Sequence, residues 1–444
     1  DIATIPWSDL AGYYPMTTYN YTNTKDESGN SNRGAIKNLR TIDKQTAPLP
    51  YKSSSDGEWD TNVTWENGSM QGIPGHTSIV DNTVTIDWNI VETNHNITMD
   101  NSTLPTYNIR SVQSINNHRA LLGLIVASNK LTINGDNDSE SGNGLSITHY
   151  LKLDGKIDLE GESQLIQDTD SDLDVESTGT LEKDQQGTQD TFTYNYWSSP
   201  VGGSNNSSNN NSYSLNDNIL KDGTVSSNPL NLNFVSGYNG TSGSPIGIAG
   251  YWIWKYNNRP NDDYASWQHI RNTGTLFAGE GFTMKGATDT SGDFTLEQNY
   301  TFEGKPNNGD ITVPINAGND YLVGNPYSSA IDANKFILDN TNTTGALYLW
   351  EHFGGGSHNT IEYQGGYAVY NLSGGTPAIQ YDYANGGTVS GGDNGLKTPG
   401  RYIPVAQGFF VIGTGSGTIN FNNSQRIFRK EDASSVFVRN ASGS

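Results

Sequence analysis

Apolar and polar residues alternate in short runs along the first half of the chain. Every second residue from Val84 to Ile90 is apolar, and three shorter runs repeat the pattern: Leu131–Ile133, Leu151–Leu153 and Leu173–Val175. A period of two places apolar side chains on one face of a β-strand. No stretch carries the apolar spacing of an amphipathic helix. The sequence therefore predicts an all-β protein.

The shorter runs follow one another at intervals of 20 and 22 residues and close on Gly or Asx turns. Several short strands per period of about 20 residues are typical of a parallel β-helix, a solenoid whose coils stack their inward aliphatic side chains. The alternative is a β-sandwich of hairpins, which favours longer strands and two-residue turns. We predict a short parallel β-helix over residues 56–191.

The second half of the chain is internally duplicated, because four blocks recur in the same order. The matched pairs are Trp197–Val201 with Tyr327–Ile331, Gly250–Trp254 with Ala346–Trp350, Ala278–Gly286 with Val405–Gly413, and Tyr300–Phe302 with Ile419–Phe421. Ordered matches of this kind predict two related β-sandwich-like repeats, at 192–316 and 317–428. The aromatic stretch Phe192–Val201 is then the first strand of the first repeat.

Both ends of the chain differ from these regions. Residues 1–55 are predicted to be an extended N-terminal segment. Within it, Gly12–Pro15 and Asp26–Asn30 resemble the opening of a laminin-G or concanavalin-like lectin domain, and a linker is the alternative. The polar residues 429–444 predict a linker or tail. The chain begins without Met or a signal peptide, which indicates a processed piece of a longer protein.

Composition limits the partners and the compartment. The net charge is −22 and the pI about 4.5, which disfavours nucleic acid and anionic membrane surfaces. No apolar run is long enough to insert into a membrane. The chain has no Cys, so its fold has no disulfides, a composition more usual among bacterial surface proteins than among other secreted proteins. We expect an extracellular protein on the bacterial outer surface.

An acidic run is the candidate metal site. Asp168, Asp170, Asp172 and Asp174 alternate, so in a strand they would share one face. Ca²⁺ prefers several carboxylate and carbonyl oxygens, and this run is the predicted calcium site. The alternative interpretation is a solvated face that contributes only charge.

Aromatic residues are the candidate ligand site. They crowd the middle of each repeat, and flat aromatic faces stack on sugar rings. The residues are Trp267, Tyr256, Tyr264, Trp252, Trp254, Tyr348 and Trp350. Because Trp252 and Trp254 alternate and recur in both repeats, burial in a β core is the alternative. Trp267, Tyr256 and Tyr264 lie in loop-like sequence and are expected to be more exposed.

No catalytic residue is predicted. The seven His residues show no metal-protease spacing, and neither a nucleophile elbow nor a phosphate loop occurs. Glycoside cleavage needs two carboxyls at a defined separation, which a sequence does not show. A polysaccharide-degrading β-helix enzyme therefore stays as a second alternative.

Several blocks carry a family resemblance over residues 56–432. They are Trp88–Val91, Asn129–Ile133, Tyr150–Gly155, Gly161–Ile166 and Tyr194–Pro200. In this order they resemble the C-terminal region of large surface proteins of Bacteroidota (flavobacteria), similar to gliding-motility adhesins. The resemblance implies export by the type 9 secretion machinery through a C-terminal sorting domain, and surface display. The sequence ends at Ser444 without that domain, which leaves open how the protein is anchored or released.

The expected function is a non-catalytic structural and adhesive module of a large extracellular protein. The first alternative is a carbohydrate-binding module that uses the aromatics of the repeats. The expected partners are surface glycans or other cell-surface and matrix components, and the cofactor to be tested is Ca²⁺.

Overall fold

A computed structural model describes most of the chain. It covers residues 50–431 except 67, 69–71, 78–84, 103, 105–106, 110–112, 138, 262, 292, 380, 383–386 and 389–396, and before them 10–14, 23–24, 26, 28–32 and 34–35. Most of the predicted N-terminal segment 1–55 and residues 432–444 of the predicted tail lie outside these residues. Strands make up 44% of the structure, so the all-β prediction is confirmed as a class. Within the described residues, no helix has the length and apolarity to cross a membrane.

The first half holds seventeen strands with described bounds. They are β1 (Asn23–Thr24), β2 (Gly34–Ala35), β3 (Tyr51–Lys52), β4 (Gly57–Glu58), β5 (Ile90–Thr93), β6 (Ile97–Met99), β7 (Tyr107–Ile109), β8 (Gln113–Ile115), β9 (His118–Val126), β10 (Lys130–Ile133), β11 (Gly135–Asp136), β12 (Ser141–Gly142), β13 (Gly144–Leu153), β14 (Lys156–Leu159), β15 (Gln164–Gln167), β16 (Asp172–Leu173) and β17 (Thr180–Thr188).

The described residues of the second half form further strands and one α-helix. They are β18 (Tyr194–Trp197), β19 (Val201–Gly202), β20 (Leu220–Asp222), β21 (Leu230–Asn231), β22 (Asn233–Val235), β23 (Gly247–Ala249), β24 (Trp254–Lys255), β25 (Arg259–Pro260), β26 (Gln268–His269), β27 (Phe282–Lys285), β28 (Glu297–Pro306), β29 (Ile311–Ile315), β30 (Asn319–Gly324), β31 (Ala330–Asp332), α1 (Ala333–Asp339), β32 (Leu347–Gly354), β33 (Gln364–Asn371), β34 (Gly374–Thr376), β35 (Tyr381–Asp382), β36 (Gly387–Thr388), β37 (Tyr402–Ile403), β38 (Gly408–Ile412), β39 (Gly417–Phe421) and β40 (Arg426–Ile427).

Eleven strands of the first half form two parallel sheets, whereas β1–β2, β7–β8 and β11–β12 are antiparallel pairs. One sheet has the order β3-β5-β9-β13-β15, with β16 also on β13, and the other has the order β4-β6-β10-β14-β17. Leu151 pairs with Leu173 as their 22-residue spacing suggests, but Leu131 pairs with Ile157 and not with Leu151. Leu131 and Leu151 lie in different sheets. The spacing of 20 residues therefore separates a strand of one sheet from a strand of the other, and not two neighbouring strands of one sheet.

The aliphatic side chains of these strands are stacked in the core. Leu131, Ile157 and Leu181 lie at one level of three adjacent strands, and all three are fully buried. Burial of each such side chain stabilises the fold by roughly 1.5–3 kcal/mol relative to exposure. For Leu131–Ile133 and Leu151–Leu153 the alternation seen in the sequence is therefore the inward row of the parallel strands. The other two runs differ, because Trp88 precedes β5 and Val175 follows β16, and both side chains are exposed.

The last parallel strands are covered by the second half of the chain. β28 pairs antiparallel with β17, and the edge of β15 is closed by side chains and backbone from beyond residue 320. Leu165 N donates to Ser328 O at 3.0 Å, and Arg426 Nη2 donates to Leu165 O at 2.7 Å. Such cover prevents an open strand edge from pairing with other chains. One hydrophobic core also runs from these strands to Trp197, across the predicted boundary at residue 192.

In each of the two matched segments, an early strand pairs with a later one. β18 pairs with β27 and β30 pairs with β38, placing Trp197 opposite Phe282 and Val323 opposite Phe409. The two pairs also join each other: Ser198 N donates to Ala406 O at 2.8 Å, and Gly324 N donates to Gly279 O at 3.1 Å. By strand register the counterpart of Trp197 is therefore Val323, four residues before the Tyr327 suggested by the sequence match.

The helix α1 was not expected from the sequence. Asp332 caps it by accepting a hydrogen bond from Asn334 N at 3.0 Å, and its buried residues Ala333, Phe336 and Ile337 have helical spacing. The Phe336 ring packs at 5.0 Å from that of Phe421. Only 7 residues long, the helix is too short for a periodicity search and is stabilised by packing.

A buried histidine makes the stability dependent on pH. His118 is opposite Gly144, and burial lowers the pKa of its imidazole to about 3 from 6.5. The unfolded chain takes up this proton below pH 6.5, so the stability present above pH 6.5 is lost as the pH falls toward 3. Between pH 6.5 and about 4.5, the free energy of unfolding of the parent should fall by roughly 2–3 kcal/mol more than that of His118→Leu.

Urea denaturation at the two pH values measures this difference. The exposed His149 gives a matched control, because His149→Leu should follow the parent. Equal losses in the parent and in His118→Leu would contradict the role of His118.

Candidate functional site

A cavity of about 170 Å³ opens where the two repeats meet, and we call it the first cleft. Nearly every residue around it is aromatic. Its lining is Tyr194, Tyr196, Trp254, Tyr264, Trp267, Thr283, Trp350, Thr360 and Tyr363. None of these side chains is charged at neutral pH. The first cleft therefore offers aromatic faces and hydroxyl groups to a neutral ligand.

Two equivalent hairpins form the walls of the first cleft. β24 pairs with β26 in one repeat, and β32 pairs with β33 in the other. Three lining pairs are each 96 residues apart: Trp254 with Trp350, Tyr264 with Thr360, and Trp267 with Tyr363. The first cleft is thus the meeting place of the two copies of the duplicated unit.

Two capped 3₁₀ turns position its rim. Asp263 accepts a hydrogen bond from Ala265 N at 2.9 Å and caps Tyr264–Ser266. Its counterpart Asn359 accepts from Ile361 N at 3.3 Å and caps Thr360–Glu362. Asp and Asn favour such caps because their short side chains reach the next free backbone N–H groups. The cap leaves Tyr264 at the start of its turn with 79% of its surface exposed.

A second cleft of about 360 Å³ adjoins the first. Its lining is Tyr256, Asp263, Tyr264, Trp267, Asp320, Tyr348, Tyr367, Phe410 and Ile412. Tyr264 and Trp267 border both clefts, so one ligand could touch both. Asp263 and Asp320 make the second cleft acidic, and none of its described lining residues is basic.

Lys285 lies behind the first cleft in a cage of three aromatic rings. Its Nζ is 3.8 Å from the ring centroid of Trp252, 4.4 Å from that of Tyr194 and 4.7 Å from that of Tyr363. Nζ also donates to the Tyr363 hydroxyl. Burial lowers the pKa of Lys285 to about 7, against the opposing effect of Asp190. We call these three rings the lysine cage.

The structure brings all seven aromatic residues named from the sequence into this region. Trp254 and Trp350 line the first cleft, Tyr256 and Tyr348 line the second, and Tyr264 and Trp267 line both, whereas Trp252 belongs to the lysine cage. Burial differs among them: Trp252 and Tyr256 are only 7% and 4% exposed. The core and surface interpretations therefore apply to different members of the set, and Tyr256 is not the exposed loop residue that was expected.

Other lining residues were missed. Tyr194 was assigned from the sequence only to the first strand of the first repeat, and Tyr363 and Asp320 lie outside the aromatic blocks that were matched. One signal was present: the spacing of 96 that relates Trp254 to Trp350 also relates Asp263 to Asn359. Extending that match beyond the strand would have found the second capped turn and Tyr363 with it.

The acidic run does not form the strand face that its alternation suggested. Residues 168–171 form a turn and only Asp172 continues into β16, as expected for a run of Asp, Thr and Ser. The Asp174 carboxylate accepts from the Tyr150 hydroxyl, which lowers its pKa, and lies 3.6 Å from Lys152 Nζ. Within the described residues, no group of three or more His, Asp or Glu side chains is arranged to hold a metal ion.

Chelation tests the calcium prediction. Because Asp174 already has a hydroxyl and an ammonium partner and the described residues hold no group of three or more potential metal ligands, we expect EDTA to leave the melting temperature unchanged. A lower melting temperature in EDTA that added Ca²⁺ restores would instead support a calcium site.

Comparison with known proteins gives a partial match. Residues 224–444 match a family described as "Domain of unknown function (DUF8693)". No curated protein and no solved structure matches the chain. The DUF8693 match contains both hairpins of the first cleft and Lys285, but it begins after β18 and the parallel strands. The chain is therefore similar to this family over the part that carries most of the clefts.

Proposed function

We propose that this chain is a non-catalytic adhesive module that binds glycans through the two clefts. The observation that carries the proposal is a pair of adjoining aromatic clefts that share Trp267 and Tyr264. Aromatic faces stack on the C–H faces of sugar rings, and nearby hydroxyl and carboxylate groups accept or donate hydrogen bonds. A linear glycan placed across both clefts would contact the two shared side chains between neighbouring sugars.

The rest of the chain is proposed to act as the stalk that holds this site. The stacked parallel strands β3–β17 support a short parallel β-helix, and the duplicated strand pairs support two β-sandwich-like repeats packed on its end. A stack of parallel strands that carries binding repeats suits a protein that presents its site away from a surface. Surface display after type 9 secretion remains part of the proposal and rests on the family resemblance of residues 56–432.

A glycan array with the labelled protein tests the proposal. Binding to one or more glycans, lost on replacement of Trp267, supports it. Absence of binding to every glycan on the array would refute it. The enzyme alternative is measured in parallel, since release of reducing ends or unsaturated uronates from the bound glycans would show cleavage.

A further inference from the structure

A row of aromatic rings continues from the wall of the first cleft over the adjoining surface. Trp254 lines the first cleft, and His269, opposite it in the β24–β26 pair, stacks on its ring at 4.1 Å between centroids. The ring of Tyr251 lies 5.2 Å from that of His269 and 6.1 Å from that of Trp254. Tyr238 follows, with its ring 4.8 Å from that of Tyr251. We call these four residues the ring row.

Contacts with a buried tryptophan hold the outer rings of the row in place. Tyr238 and Tyr251 both pack on Trp252, at 5.8 and 4.7 Å between ring centroids, and the Trp252 indole N–H donates to Tyr238 O at 2.6 Å. The two tyrosine rings meet edge to face, an arrangement that the quadrupoles of aromatic rings favour. Rings held in this way lose little further conformational freedom when a ligand stacks on them.

The outer rings are exposed although the duplicated unit does not require a ring at this place. Tyr238 has 56% and Tyr251 has 37% of its surface exposed. The offset of 96 residues relates Tyr251 to Leu347, which is buried. The later matched segment therefore turns an aliphatic side chain inward where the earlier one turns a ring outward. Exposed apolar side chains that adjoin one another mark interaction surfaces, whereas single ones do not.

The ring row is uncharged at neutral pH, like the lining of the first cleft. Burial lowers the pKa of the His269 imidazole below its usual 6.5, and the nearby Arg271 lowers it further, so this ring is neutral at pH 7. Tyrosine and tryptophan side chains carry no charge at this pH. A chain of neutral sugars can therefore continue from the first cleft onto the ring row and meet the same chemistry.

We propose that the ring row adds subsites to the first cleft, so that the protein binds a linear chain of several neutral sugars in preference to a short oligosaccharide. This rests on the proposed glycan-binding function and adds the length and charge of the ligand. A glycan that occupies both clefts leaves the first cleft beside Trp254, and its next sugars lie over Tyr251 and Tyr238. Each of these rings offers one more face for a sugar to stack on.

Calorimetry with oligosaccharides of two lengths tests the added subsites. The probes are trimers and hexamers of β-1,4-linked glucose, N-acetylglucosamine, mannose and xylose and of β-1,3-linked glucose, together with those of the neutral glycan that binds best on the array. In the series that binds most tightly, we expect the affinity of the hexamer to exceed that of the trimer by about tenfold, because only the longer chain reaches the outer rings.

The outcomes separate this proposal from the proposed function. Equal affinity of the trimer and the hexamer overturns the added subsites and leaves glycan binding in the clefts intact. Absence of binding by every hexamer also overturns them, and the glycan array then decides the proposed function by itself.

Variants at the outer end of the ring row locate the added subsites. Tyr251→Ala and Tyr238→Ala, alone and together, should remove most of the gain from trimer to hexamer and leave the affinity for the trimer within about twofold. Tyr251→Phe retains the stacking face and should keep most of the gain. An unchanged hexamer affinity in the double alanine variant overturns the assignment. An equal loss for the trimer and the hexamer overturns it as well, because that result would show that the two tyrosines only support the first cleft.

Tyr150→Ala is the matched control. Tyr150 is 38% exposed, close to the value for Tyr251, and it lies on β13 among the parallel strands. Its replacement should change neither the trimer nor the hexamer affinity. Binding of the trimer by the alanine variants shows in the same titration that they are folded.

Discussion

Trp267→Ala is expected to weaken glycan binding by about 2 kcal/mol, or roughly thirtyfold, as for a tryptophan at the centre of a binding surface. Trp267 borders both clefts, so its loss removes a stacking face from each. Its ring also packs on Tyr256 and Phe410, at 5.2 and 5.8 Å between centroids. Calorimetry with the best glycan from the array measures the change.

Two further variants separate binding from folding. Tyr264→Ala removes a largely exposed ring that also borders both clefts, and it should reduce affinity roughly fivefold with unchanged thermal stability. Trp88→Ala is the control, because Trp88 is 42% exposed and lines neither cleft. If Trp267→Ala and Tyr264→Ala both bind like the parent, the clefts are not the glycan site.

Trp197→Ala is expected to destabilise the protein by about 3–5 kcal/mol, a large share of the roughly 5–15 kcal/mol typical of folded domains. Trp197 is fully buried, with its ring 5.5 Å from Tyr300 and 6.0 Å from Phe302. Its packing is close: a Cβ added at Gly187 would come within 2.5 Å of the Trp197 ring. In such close packing the surroundings relax only partly, so the change to alanine leaves a cavity in the core.

Denaturant unfolding followed by tryptophan fluorescence and circular dichroism measures this loss. The exposed Trp88 again provides the control, since Trp88→Ala should change stability by less than about 0.5 kcal/mol. Trp197→Phe retains most of the ring and should fall between the two. A loss below about 1 kcal/mol in Trp197→Ala would show that the junction between the parallel strands and the repeats is not part of one core.

Much of the local structure could be predicted from residue patterns. Leu151–Leu153 and Leu131–Ile133 alternate because they lie in strands with one buried face, and both are strands in the structure. The pairing of these strands could not be predicted so well. The connections between the paired strands differ in length, and one of them contains the β11–β12 hairpin. Leu131 therefore pairs with Ile157 at a spacing that no regular period indicates.

The aromatic part of the site was also visible in the sequence, but its burial and its charged members were not. Trp252 and Trp254 are two residues apart, yet Trp252 is buried behind the Lys285 ammonium and Trp254 lines the first cleft. Asp320 resembles any other acidic residue at the start of a strand. Its place in the second cleft follows from the aromatic residues that line the cleft with it, which come from positions 256 to 410.

The sequence by itself determined the all-β class, the strands at Leu131–Ile133 and Leu151–Leu153, and the ordered matches and aromatic-rich composition of the second half. These properties depend on neighbouring residues or on matching segments, which a linear chain displays directly. Only the tertiary structure decided which strands pair, where the two hairpins meet at the first cleft, and that Lys285 lies within a cage of aromatic rings. Those properties depend on contacts between residues that lie tens of positions apart in the sequence, such as Tyr194 opposite Lys285, so no short stretch of the chain displays them.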